Sequence, residues 1–176
     1  GQRVAEASQQ IKSGSTDLQV LSGMMQAVVK LRRQHAENAS EAPLGHLVAI
    51  GQSFVGNLAL LKTLSADMCF AFISNGETAS GIVELFQHKD HSTLLQQQLV
   101  AVFEAVEEGR KTPRVYPQPK QGDYDLLVGE LQGRGWSQAD IQTFSDSRAL
   151  AKSPPDKVCM LVTQRFESQL SLKDSD

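Results

Sequence analysis

Residues 44–61 read LGHLVAIGQSFVGNLALL, the longest apolar run in the chain. Its length sits at the lower edge of a bilayer span, but His46, Gln52, Ser53 and Asn57 interrupt it, and each is costly in hydrocarbon. No transmembrane span is therefore expected in this chain. Wound as a helix over 44 to 63, the run is apolar around most of its circumference, the pattern of a helix enclosed by protein. Gly45, Gly51 and Gly56 each weaken a helix by about 1 kcal/mol relative to alanine, so their presence predicts close approach of another backbone. The reading is a buried central helix in the middle of a bundle.

Helical signals continue on both sides. Upstream, a short polar helix is expected over residues 2 to 12. Ser15, Thr16 and Asp17 then offer N-caps to about five turns with Leu18, Leu21, Met25 and Val28 on one face. That helix closes in Lys30, Arg32, Arg33 and His35, cations suited to the negative end of the macrodipole. Residues 38 to 43 read as a polar break. Downstream, Ser65 and Asp67 cap a helix over 68 to 74, and 77 to 87 reads as another, interrupted by Gly81. From 93 to 108 Leu95, Leu99, Val102, Phe103 and Val106 define an apolar face, and Gly109 ends it.

Pro113, Pro117 and Pro119 exclude regular helix from 110 to 122. Beyond it, Asp123, the capping-box-like Ser137-Gln-Ala-Asp140 and Ser153-Pro-Pro-Asp156 open three more helices. No repeat of 20 to 50 residues is visible. The fold class is all-α, an irregular multi-helix bundle of about seven to nine helices, possible as two lobes. These are an N-terminal bundle over 1–109, a Pro-rich basic connector over 110–122 and a C-terminal lobe over 123–176, the alternative being one packed domain.

Composition limits the functional classes. With 176 residues, 40% apolar, 21% charged and a formal net charge of -3, the chain is an ordinary globular one, not collagen, a disordered tail or a cysteine-knit miniprotein. It lacks the overall basic excess that draws nucleic acid or an anionic membrane, so only a local patch could do so. The first residue is Gly1, which leads us to expect a processed or trimmed chain with a signal or anchor upstream. This favours a periplasmic or other extracytoplasmic setting over the cytoplasm. Cys69 and Cys159, 90 residues apart, have neither redox-motif spacing nor the partners for zinc. They are either a disulfide or two buried thiols, and the sequence leaves both open.

Four features bear on chemistry. His88-Lys-Asp90-His91 offers ligand types suited to a transition metal, with Glu84 one turn earlier, but dipole and capping roles explain it equally and a third ligand is required. Gly51-Gln-Ser-Phe-Val-Gly56 is one residue too long for a nucleophile elbow. Residues 131 to 144 have a helix-turn-helix form, yet 137 to 151 set Asp140 and Asp146 against Arg148 alone, so nucleic acid is not an expected partner. Trp136 there either packs over its turn or makes a protein contact. Lastly, Arg110, Lys111, Arg114 and Lys120 surround Tyr116 in the proline-rich segment without an acid among them, a pattern of a recognition strip or of a surface connector. The function expected is a non-enzymatic helical binding domain for a protein or small molecule, needing no cofactor. The alternative is a metal-dependent or other hydrolase built near His88 and His91.

Overall fold

The computed structural model describes residues 17–173, which form ten α-helices and one 3-10 turn and contain no strand. The all-α class is as the sequence predicts, while the expected helix over 2 to 12 lies outside the described residues. In chain order the helices are α1 (Asp17–Gln34), α2 (Ala36–Ser40), α3 (Leu44–Leu64), α4 (Ala66–Asn75), α5 (Ser80–Leu85) and α6 (Lys89–Lys111). After the proline-rich segment come α7 (Gln121–Gly133), α8 (Gln138–Ser145), α9 (Ser147–Lys152) and α10 (Pro155–Lys173).

The count exceeds seven to nine because two stretches divide differently from the periodicity. The polar break after α1 winds one further turn, α2. The helix expected over 137 to 151 breaks at Asp146, whose carboxylate accepts from the Arg148 and Ala149 N–H groups and starts α9 afresh. Likewise the 77 to 87 segment is a 3-10 turn, Gly76–Thr78, followed by α5.

Several caps are the ones the sequence announces. The Ser65 hydroxyl accepts from the Met68 N–H at 3.0 Å to start α4. Ser137 and Asp140 exchange side-chain and backbone hydrogen bonds at the start of α8. Lys157 of α10, its Nζ 2.5 Å from the Asp140 carboxylate, and the Ser137 N–H together hold that carboxyl at about 2, below its ordinary 3.8. The Asp140 carboxyl in the clasp between α8 and α10 therefore stays ionised through the pH range in which an ordinary aspartate is protonated.

Helices α3 and α6 pack along each other, with α2 laid across α6 and α10 seated on α3 and α4. The α2 crossing depends on Gly109, where a Cβ would stand 1.8 Å from the Asn38 carbonyl oxygen. Gly109 is thus a contact residue inside α6, not the helix end that the sequence suggests. The main core gathers Leu58, Leu61, Phe72, Ile82, Leu95, Val158 and Val162. Within it Cys69 of α4 and Cys159 of α10 form a disulfide. A smaller cluster, Leu131, Trp136 and Leu161, joins α7 to α10.

Helix α3 differs from the enclosed helix expected. By length and composition it could cross a membrane, yet only Asn57, Leu58 and Leu61 along it are buried. Gly45 and Gly56 have no atom within 4 Å of a Cβ, and Gly51 meets the Leu170 side chain instead of a backbone. Apolar residues on every side carry no information about which side is covered, and the covered side here is narrow.

Candidate binding groove

The stripe of α3 that enters the core repeats every three or four residues: Leu44, Leu47, Gly51, Phe54, Leu58, Leu61. Leu58 and Leu61 are fully buried, whereas Leu44 is half exposed and Leu47, Gly51 and Phe54 are partly so. The same face is therefore filled over its C-terminal half and open over its N-terminal half. The opening is a groove of about 420 Å³ between α3 and the end of α10, walled on the far side by Phe166 and Leu170. Phe54 and Phe166 meet edge to face at 5.0 Å and floor it. Gly51 keeps it open, since a Cβ there would lie 3.1 Å from Leu170 Cδ2.

One polar side chain enters the groove from α6. Gln98 is 7% exposed, and its amide oxygen accepts from Asn57 Nδ2 at 2.6 Å, with the same Asn57 amide donating to the Leu94 carbonyl at 3.1 Å. No described residue accepts from the Gln98 amide nitrogen. Gln98 also lines a second cleft of about 330 Å³, which shares Ile50 and Phe54 with the groove and reaches Arg32 and Arg33. There Arg32 Nη1 binds both carboxylate oxygens of Glu77, at 2.7 and 2.8 Å, and Glu77 is fully buried. Arg33 in turn lines a third cleft, of about 480 Å³, with Lys30, Gln34 and Thr78.

The sequence did not single out this site. The readable sign was Gln98, which falls on the buried seam Leu95, Gln98, Val102, Ala105, Gly109 of α6. Its buried place was hidden because Leu99 and Phe103 beside it look like the inward face, yet both are only partly buried.

The residues that the sequence did single out are dispersed. Arg110 and Lys111 lie in the last turn of α6, and Lys111 pairs with Glu107 at 2.6 Å and Glu108 at 3.4 Å. Those contacts raise the Lys111 pKa and lower that of Glu107. Arg114 and Tyr116 fasten an extended strap to the α2–α3 corner. The Arg114 N–H donates to the Glu41 carbonyl and the Tyr116 hydroxyl to the Ala42 carbonyl, each at 2.7 Å. Lys120 is the N-cap residue of α7, and Val115 between them is 97% exposed. Trp136 is buried, stacked obliquely on Phe144 and donating its indole N–H to Gln164 Oε1 at 2.7 Å. It therefore packs inside the corner.

His88 and Asp90 are exposed at the start of α6, and the ring centroids of His88 and His91 stand 6.4 Å apart. Among the described residues no three His, Cys, Asp or Glu side chains, these included, are placed to hold a metal. Glu84, one turn away in sequence, is exposed on α5. Comparison with protein-family models, with curated proteins and with solved structures gave no match to this chain.

Proposed function

We propose that this chain is a helical binding module without catalytic chemistry, which takes an apolar small molecule in the groove between α3 and α10. The observation that carries the reading is the α3 stripe, whose inward-facing spacing continues from Leu58 to Leu44 after the core that covers it has ended. Apolar surface held open on a rigid frame is the usual form of a small-molecule site, and about 420 Å³ falls within the ~300–1,000 Å³ typical of such sites. A bridged pair, Cys69 and Cys159, fits work in an oxidising compartment, in line with an exported or membrane-attached protein whose soluble part this is. The hydrolase alternative has less support, since His88, Asp90 and His91 do not converge.

A neutral, environment-sensitive dye such as Nile red tests the groove. It should bind with one-to-one stoichiometry, and Gly51→Leu, which fills the floor beside Leu170, should weaken binding at least tenfold. Leu44→Trp narrows the exposed lip without touching the core and should weaken it as well. Unchanged dye affinity in both folded variants would remove the groove from consideration. The strap is the competing surface, because the side chains of Arg110, Arg114 and Lys120 are exposed and form no ion pair among the described residues. If Arg114→Glu abolished dye binding and the groove variants did not, recognition would belong to the strap.

A further inference from the structure

We propose that the ligand is a single-chain carboxylate amphiphile, a long-chain fatty acid, with its tail in the groove and its carboxylate beside Gln98 and Arg33. This rests on the groove being a ligand site and specifies what enters it.

The argument is one of continuity and charge. The groove and the second cleft share three lining residues, Ile50, Phe54 and Gln98, so the two adjoin along α3, and the proposed ligand spans that junction. At the groove end the walls are Leu44, Leu47, Val48 and Leu170, with no charge. At the other end stand Arg32, Arg33 and Glu77, a net single positive charge, and beyond them Lys30 with no carboxylate lining the third cleft. Apolar walls leading to an uncompensated cation match a chain that ends in an anion. From Leu44 to Phe54 α3 rises about 15 Å, a distance suited to an extended chain and not to a compact ring.

Gln98 gives an independent sign. It is more than nine-tenths buried, lines both clefts, has its oxygen engaged by Asn57, and its amide nitrogen has no acceptor among the described residues. A carboxylate oxygen supplies that acceptor. Arg32 is already engaged by Glu77, whereas Arg33 and Lys30 have no acidic partner among the described residues. The macrodipole explains cations in the last turn of α1, but not their place in a cleft that adjoins an apolar groove.

Isothermal titration with decanoate, dodecanoate, tetradecanoate and dodecan-1-ol, all below micelle formation, tests this directly. Affinity should rise about fourfold per added methylene. Dodecanoate should bind at least tenfold more tightly than dodecan-1-ol, with the difference shrinking at high salt. Arg33→Gln should erase most of that difference while leaving the alcohol's affinity unchanged, and Gln98→Leu should weaken dodecanoate selectively. Arg148→Gln on α9 serves as the surface control, and melting temperatures establish that each variant is folded.

Equal affinity for acid and alcohol, untouched by Arg33→Gln, would overturn the carboxylate assignment and leave the groove standing. Failure of both ligands to bind would overturn the groove itself. Binding of an acidic amphipathic helical peptide, dependent on Arg33, with no binding of dodecanoate, would replace the fatty acid by a protein partner.

Discussion

The Arg32–Glu77 pair is the most buried ion pair among the described residues. Glu77 has 1% of its side chain exposed and Arg32 25%, so the carboxylate depends on that guanidinium for both charge and hydrogen bonds. Arg32→Ala should cost about 3–5 kcal/mol in urea denaturation, because it leaves a buried anion unpaired. Arg32→Met with Glu77→Met should cost much less, since nothing charged is then left in the interior. Of this pair the sequence shows only halves. Arg32 reads as a cation at a helix end and Glu77 as the first residue of another short helix. They are 45 positions apart, and no helical period relates residues on separate elements. The buried polar contact of Asn57 with Gln98, 41 positions apart, was out of reach for the same reason.

Among the helices, glycine has opposite meanings at two positions. Gly109→Ala places a methyl 1.8 Å from the Asn38 carbonyl and must push α2 off α6. A loss of at least ~1–3 kcal/mol is expected, read as a lower denaturation midpoint. Gly56→Ala on α3 meets no atom within 4 Å and should instead gain about 0.5–1 kcal/mol from helix propensity. The sequence reads Gly56 as a close approach of another backbone and Gly109 as a helix end, the reverse of their places here, because a missing side chain looks the same whether or not a neighbour occupies its place. Element existence was largely legible: the Ser65 cap, the Ser137 box and the start of α10 at Pro155 follow from local chemistry written in consecutive residues. The groove was not, since α3 is apolar on all sides and its covering helix, α10, lies a hundred residues away in sequence, roughly the chain's far end.

At the scale of the molecule, α10 ties α7, which follows the proline-rich segment, to α3 and α4, which precede it. It carries Cys159 into the main core, Leu161 into the smaller cluster, and Phe166 and Leu170 into the groove wall. The bridge to Cys69 closes 90 residues and contributes about 4–5 kcal/mol in the chain-entropy model. Paired Cys69→Ser and Cys159→Ser changes should lower stability toward that amount, by denaturant titration, and weaken dye binding through the loosened wall. An unaltered midpoint would show that packing alone seats α10. The strap from Arg114 to Lys120 lies within that closed circuit and is exposed along its length. Trypsin cutting after Arg114 therefore severs the polypeptide without freeing either piece, which stay joined through sulfur. Such a nicked species would migrate as a single band until thiol is added and as two thereafter.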